Sequence, residues 1–306
     1  MPTRRRRRSP EPWDRDPATV PLDELDRLWD FDDPAGSERR FSELLERARI
    51  EQGGALLAEV LTQVARARGL QRRFDAVDAT LDDAEAVLRP DDVRGRVRLQ
   101  LERGRVANTA GRDGRGRNDF LAAWDLARAT GEDALAVDAA HMLGIVEPGN
   151  TGWEWNERAM ELACRSDEPG ARRWIGSLTN NMGWARHDEG DENAAIALFE
   201  RSRDAFLSDG RLDRARVARW SIARCLRARG DAAEALLEHE ALLAELDVLG
   251  ATDGYVLEEI AECLLALDRA DAARPFFARA HVALSETFLA DDEPERLQRL
   301  RSLGSA

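Results

Sequence analysis

The chain has 306 residues, of which 43% are hydrophobic and 34% charged, and its formal net charge is −14. All 45 basic residues are arginine, which excludes chemistry that needs a lysine, such as a Lys-containing phosphate loop or a Schiff base. The acidic total disfavours DNA or RNA as the main partner, because the phosphate backbone would be repelled. No apolar run reaches the roughly 18 residues of a membrane span. Three cysteines without a close pair indicate a reducing compartment, so we expect a cytoplasmic protein.

Residues 1–22 differ in composition from the rest of the chain. A run of five arginines, Arg4 to Arg8, is followed by a Ser-Pro-Glu-Pro segment and by no apolar stretch typical of a secretion signal. Like charges and prolines cannot bury a core. We therefore predict a disordered arm over 1–22 and a linker over 23–36, with docking of the arm on an acidic surface as the alternative.

The first predicted helix covers residues 37–50. Phe41, Leu44, Leu45 and Ala48 form one apolar stripe at helical spacing, and Ser37 is the expected N-cap. This helix is the expected opening half of a repeat.

From this helix onward the pattern alternates helix, short break and helix, and one unit recurs. Its clearest copy covers residues 180–199, where Gly183 is followed after 7, 12 and 16 positions by Gly190, Ala195 and Phe199. The same order of small residue, turn, small residue and large residue begins again at five other positions. These are Ala65, Gly104, Gly144, Ala223 and Ala261. In the copy that starts at Gly104, a longer loop over 108–117 is expected to delay the second helix.

This order of residues resembles the tetratricopeptide repeat. The resemblance implies an all-α fold, a right-handed superhelical solenoid of about six helix pairs over residues 37–290. Small residues let the two helices of each pair cross closely, and pairs must stack because one pair alone cannot bury its apolar face. The units are 38 to 40 residues apart, longer than the usual 34 or so. In this they are similar to the long repeats of MalT-like and peptide-sensing bacterial regulators.

The chain is predicted to end in a capping helix within residues 291–306. Pro294 suits the first turn of that helix, and Leu297, Leu300 and Leu303 recur beneath charged neighbours. A polar outer face of this kind is what a solenoid needs at its end. We interpret the repeats as one continuous domain.

Catalytic motifs are not found in the sequence. His239 and Glu240 lack the second histidine of a zinc-protease helix, and His239 falls at a packing position of its repeat. The glycine-rich segment 111–117 joins two helices, so it is predicted to be a loop, with a phosphate contact by its arginines as the alternative. His141 and His187 have no evident third metal ligand. We therefore predict no enzyme activity, no cofactor and no metal site.

The resemblance implies that the first helix of each pair lines a concave groove. Residues spaced by three and four positions share one face of a helix. On this basis nine side chains are candidate ligand contacts. They are Asn180, Asn181, Trp184 and His187 in the central unit, His141 in the preceding unit, Trp220, Arg224 and Arg227 in the following unit, and Tyr255 in the next.

Each of these side chains has an expected role in the groove. In peptide-binding members of the family, an asparagine at the place of Asn181 holds the ligand backbone, since an amide both donates and accepts. Arg224 and Arg227 could take a carboxylate, and the two tryptophans would supply contact area. The alternative is that all of them are structural: an amide satisfying helix ends, and arginines in salt bridges.

The sequence thus supports two hypotheses about function. The first is a non-enzymatic interaction module that binds a peptide or protein partner in the groove. The second is a ligand- or peptide-sensing regulator that acts on a transcription factor or another effector. An enzyme built on the repeats is the third and weakest hypothesis.

Overall fold

The computed structural model describes residues 25, 27–30, 33–50, 54–111, 114–287 and 293–305. The arm predicted over 1–22, with its five arginines, lies outside these residues. Within the described ranges every regular element is an α-helix. The chain divides into two compact units, Met1–Trp174 and Ile175–Ala306, and each is described by itself below.

The first unit is built from antiparallel helix pairs that follow one another along the chain. Its helices are α1 (Pro34–Ile50), α2 (Gly54–Leu70), α3 (Phe74–Val87), α4 (Val93–Thr109), α5 (Arg115–Thr130), α6 (Asp133–Val146), α7 (Gly149–Arg165) and the single turn α8 (Pro169–Arg172). Helices α2 and α3, α4 and α5, and α6 and α7 pack as pairs, and α1 packs on α2. The first helices of neighbouring pairs, α2 and α4, also contact each other.

Helix α1 begins earlier than the sequence predicts. It starts at Pro34, and the Asp33 side chain caps it by accepting a hydrogen bond of 2.8 Å from the Gly36 amide. The prediction that Ser37 is the N-cap is therefore wrong. Proline suits the first turn because its missing N–H has no partner there, and Ser37 instead exchanges two hydrogen bonds of 2.8 Å with the backbone of Asp30.

Part of the predicted linker packs onto the first unit. Leu25 and Leu28 are buried in its core. The ring of Trp29 lies 5.1 Å from the ring of Phe41, and its indole N–H donates to the Gln63 amide oxygen at 2.9 Å. Residues 25 and 27–30 thus cover the apolar face of α1 and α2.

The second unit continues the same pattern. Its helices are α9 (Ile175–Asp188), α10 (Glu192–Ser208), α11 (Leu212–Arg229), α12 (Ala232–Leu249), α13 (Gly254–Ala266), α14 (Ala270–Ser285) and α15 (Pro294–Ser305). Helices α9 and α10, α11 and α12, and α13 and α14 pack as pairs, and α15 packs on α14. The described part of the chain contains no helix long and apolar enough to cross a membrane.

The small residues lie where the two helices of a pair cross, as the sequence predicts. A Cβ atom added to Gly183 would lie 2.7 Å from the ring of Phe199, and one added to Gly104 would lie 2.5 Å from the ring of Phe120. Both rings are fully buried. Gly144 faces Asn156 in the same way, so the backbone of each first helix touches a large side chain of the second.

The loop between α4 and α5 is shorter than predicted. Helix α4 continues to Thr109 and α5 begins at Arg115, so both ends of the predicted loop are helical. Gly114 takes a left-handed conformation, with φ of 68°, immediately before α5. Arg117, one of the three arginines considered for a phosphate contact, forms an ion pair with Glu147.

Candidate functional site

Three aromatic side chains form a row across the first helices of the second unit. Trp184 on α9, Trp220 on α11 and Tyr255 on α13 are each half-buried. The two tryptophan rings are 6.0 Å apart, and the Trp220 and Tyr255 rings are 6.2 Å apart in an edge-on arrangement. We call these three residues the aromatic row. They are the aromatic residues that the sequence places on this face.

Contacts with neighbouring residues of the second unit fix the rings of this row. Trp184 follows Gly183 directly, and its ring packs edge-on against the buried ring of Phe199, at 5.2 Å. The Trp220 indole N–H points at the Tyr255 backbone oxygen, at 3.3 Å. Large rings fixed on both sides lose little freedom when a ligand covers them, which favours their use as contact points.

Arg224 lies over the two tryptophans. Its guanidinium is 5.7 Å from the centre of the Trp184 ring and 5.5 Å from that of Trp220, and it is 3.6 Å from the carboxylate of Glu259. Arg224 and Trp220 are four positions apart on α11 and therefore share one face. The row and this arginine form one continuous surface of π systems.

Arg227 is held more tightly by the same carboxylate. It donates two hydrogen bonds to Glu259, of 2.8 Å and 3.0 Å, and Glu259 is only 3% exposed. Burial by itself would lower the pKa of Arg227, but the hydrogen bonds and charge of Glu259 outweigh it and raise that pKa. Two guanidinium groups thus converge on one buried carboxylate.

The surface continues onto the last helix, α15, although the groove is predicted to be lined by the first helices of the pairs alone. Arg296 of α15 lies 5.3 Å from the centre of the Tyr255 ring and donates to both oxygens of Glu258, at 3.0 Å and 2.6 Å. Arg299, one turn later, pairs with Glu262 of α13. The signal in the sequence is the charged side of the capping helix, which is predicted to face solvent.

The two asparagines lie on α9 before Trp184, and both are half-buried. The amide oxygen of Asn180 is buried and accepts no hydrogen bond within the described part of the chain. A buried acceptor without a donor is costly. It could accept a hydrogen bond from a ligand bound at this face.

His187 stands at the end of α9 beside the row. Its Nδ1 atom is 2.8 Å from a carboxylate oxygen of Glu192 and 3.7 Å from the sulfur of Cys225, and its ring packs edge-on against Trp184 at 5.3 Å. Burial, together with the Glu192 carboxylate, raises the pKa of the Cys225 thiol. The thiol is therefore protonated at neutral pH.

His141 belongs to the first unit, where an ion-pair network occupies the corresponding helix face. Arg105 of α4 pairs with Asp138 of α6 and, at 2.5 Å, with Glu102; Arg66 is 3.6 Å from Glu102. Burial lowers the pKa of His141 to about 4, although the Asp138 charge opposes the shift. The centre of its ring lies 5.1 Å from that of Trp174, with the two ring planes tilted by 49°.

His239 is fully buried, which confirms the predicted packing position. Neither of its ring nitrogens has a hydrogen-bond partner among the described residues, and Nε2 is 3.9 Å from Glu259. Burial lowers the pKa of His239 to about 4, so it adds no charge near Arg227 at neutral pH.

The chain consists of successive helix pairs with small residues where the two helices cross. This arrangement is that of helical-repeat proteins. No protein-family model matches the chain, and no curated protein matches it either. Among solved structures, a tetratricopeptide repeat protein from Parabacteroides merdae ATCC 43184 is similar over 93% of this chain and 98% of its own, with 14% identity and a TM-score of 0.52. The structure of NprR in complex with its cognate peptide NprX is similar over 92% and 80%, with 17% identity and a TM-score of 0.55.

The chain therefore has the tetratricopeptide-repeat fold. This conclusion agrees with the resemblance seen in the sequence, and it concerns the fold alone, because the identities are low.

Proposed function

We propose that the chain is a binding module that recognises a peptide or a protein segment along the face formed by α9, α11 and α13. The observation that carries the proposal is the aromatic row. Tryptophan and tyrosine dominate the energy of binding interfaces when they form a rigid, partly buried patch. Here three of them lie side by side on successive helices, with Arg224 stacked on two of the rings.

The polar groups around the row indicate the chemistry of the ligand. Arg224 and Arg227 share the single carboxylate of Glu259, so one positive charge is left over at this place. An acidic side chain or a C-terminal carboxylate would balance it. The unpaired amide oxygen of Asn180 suits a ligand N–H group. An extended peptide supplies both features together with apolar side chains for the rings.

The similarity to NprR supports a peptide ligand, since that structure holds its cognate peptide NprX. We propose binding rather than catalysis, because the charged groups of this face, Arg224, Arg227 and Glu259, are engaged with one another. Arginine keeps its proton in proteins, so neither guanidinium can act as a general acid or base toward a substrate.

A display library of random linear peptides, selected on the purified full chain, tests the proposal. We expect the selected peptides to lose at least about thirtyfold in affinity with Trp184→Ala or Trp220→Ala, since a central tryptophan contributes about 2 kcal/mol or more. Binding would be measured by fluorescence anisotropy with labelled peptide.

Trp124→Ala is the matched control. Trp124 is also half-buried, contacts the ring of Trp155 at 5.4 Å and carries Arg128 at 5.7 Å, but it lies on α5, the second helix of a pair. The control should leave the affinity unchanged. Selected peptides that bind equally well to all three variants would refute the assignment of the face.

A further inference from the structure

Three side chains with metal-binding atoms converge beside the aromatic row. They are His187 at the end of α9, Glu192 at the start of α10 and Cys225 on α11. The relevant nitrogen, oxygen and sulfur atoms all lie within 4.8 Å of one another. His187 and Cys225 are 38 positions apart, so no recognised spacing of metal ligands connects them in the sequence.

The fold fixes the positions of all three. Gly190, with φ of 80°, makes the tight turn that brings His187 and Glu192 together across the connection between α9 and α10. Asp191 caps α10 by accepting from the Ala194 amide at 3.1 Å, so Glu192 stands on the first turn of a fixed helix. Cys225 of α11 is fully buried and packs with Phe199 of α10 in one apolar cluster.

We propose that His187, Glu192 and Cys225 bind a zinc ion through one nitrogen, one oxygen and one sulfur. These are the donor atoms that zinc takes in proteins, at about 2.0–2.3 Å. Tetrahedral bonds of that length place sulfur and nitrogen about 3.6 Å apart, and nitrogen and oxygen about 3.3 Å apart. The sulfur and nitrogen are 3.7 Å apart, which fits, and the nitrogen and oxygen are 2.8 Å apart. The Glu192 oxygen therefore has to move about 0.5 Å away from Nδ1.

The charges at the site suit a dication. Zinc binding requires the Cys225 thiol to release its proton to solvent, and it replaces the Nδ1–H of His187 that points to Glu192, so that the neutral imidazole keeps its proton on Nε2. The thiolate and the Glu192 carboxylate then balance the two positive charges. Arg224, which precedes Cys225 in the chain, places its guanidinium over the two tryptophan rings and 3.6 Å from the Glu259 carboxylate that it shares with Arg227. Three protein ligands leave the fourth tetrahedral position open for water. Because the ring of His187 contacts that of Trp184, a segment bound along the aromatic row could also supply the fourth donor atom.

Cobalt is the probe for this site, since it replaces zinc and reports its ligands by colour. The full chain, freed of metal with a chelator, would be titrated with Co²⁺ and then with Zn²⁺. We expect one equivalent of Co²⁺ to bind, with a thiolate-to-cobalt charge-transfer absorption and the strong visible bands of four-coordinate cobalt, and Zn²⁺ to displace it. Calorimetry with Zn²⁺ in two buffers should show about one proton released per ion.

The variants separate this site from other thiols. Cys225→Ser should abolish the charge-transfer absorption, and Glu192→Gln, on a partly exposed side chain, should lower the affinity at least about tenfold while the protein stays folded. Cys263→Ser and Cys164→Ser should keep the full signal, since neither thiol belongs to the cluster. Circular dichroism of each variant checks that it folds.

Two results would overturn the proposal. Without saturable Co²⁺ binding by the wild-type chain, the three side chains form a hydrogen-bonded cluster only. A charge-transfer absorption that persists in Cys225→Ser and disappears in Cys164→Ser would assign the metal to the exposed thiol. Neither result depends on the peptide selection described above.

Discussion

Replacing Gly183 by alanine tests the physical reason for the repeat pattern. The added Cβ atom would lie 2.7 Å from a ring carbon of Phe199, well inside contact distance. That ring cannot easily withdraw, because it is fully buried and the Trp184 ring packs against it at 5.2 Å. Overpacking of this kind costs about 1–3 kcal/mol.

A second effect has the opposite sign. Alanine in the middle of a helix is favoured over glycine by about 1 kcal/mol. The net expectation for Gly183→Ala is a loss of about 1 kcal/mol in the free energy of unfolding. Gly69→Ala, next to the end of α2, is a control without a clash, since its Cβ would meet Val77 at an ordinary 4.0 Å. That control should gain stability, by up to about 1 kcal/mol.

A double-mutant cycle with Phe199→Leu provides the assay. Urea unfolding followed by circular dichroism should show Gly183→Ala shifting the midpoint down by about 0.5 M in the wild-type background. In the Phe199→Leu background the shift should vanish or reverse, because the clashing ring atoms are gone. Equal shifts in both backgrounds, or a stabilised Gly183→Ala, would show that close approach of the helices is not what requires a small residue here.

Two further predictions concern charge and pH. Because the pKa of His239 is about 4 in the folded chain, against 6.5 ordinarily, the unfolded chain takes up the proton first and stability falls as pH drops from 6.5 to 4. The loss of unfolding free energy at pH 5 is about 2 kcal/mol. In urea titrations His239→Leu should reduce this pH dependence, and an unchanged dependence would contradict the assignment to His239. Arg296→Met leaves the buried Glu258 carboxylate unpaired, so hydrogen exchange should show α15 opening about 1–3 kcal/mol more easily. Unchanged exchange, or the same change in the exposed Arg301→Met variant, would refute the role of this ion pair.

The helix pairs could be predicted from the sequence because their determinants are local. Gly183 and Phe199 are 16 positions apart, and their order with Gly190 and Ala195 marks one hairpin without any knowledge of its neighbours. The start of α1 was missed because Ser37 and Asp33 are both acceptable caps. Only the contact of Ser37 with the backbone of Asp30 decides between them.

The candidate site was predictable in its members but not in its pairings. Helical spacing put Arg224 and Arg227 on one face, yet it did not show that one buried carboxylate, Glu259, would hold both arginines. That contact joins residues 32 positions apart and depends on how one hairpin docks on the next. The cluster of His187, Glu192 and Cys225 was missed for the same reason.

These ion pairs also bear on how the hairpins find their neighbours during folding. Hairpins of similar shape can dock on the wrong partner, a common failure of repeat chains. Arg227 of α11 pairs with Glu259 of α13, Arg296 of α15 with Glu258 of α13, and Arg105 of α4 with Asp138 of α6, so each ion pair joins a first helix to the next hairpin or to the last helix. A hairpin docked out of order would bury one of these carboxylates without its guanidinium, at a cost of about 3–5 kcal/mol. These three pairs thereby favour the native order of assembly at the junctions where they lie.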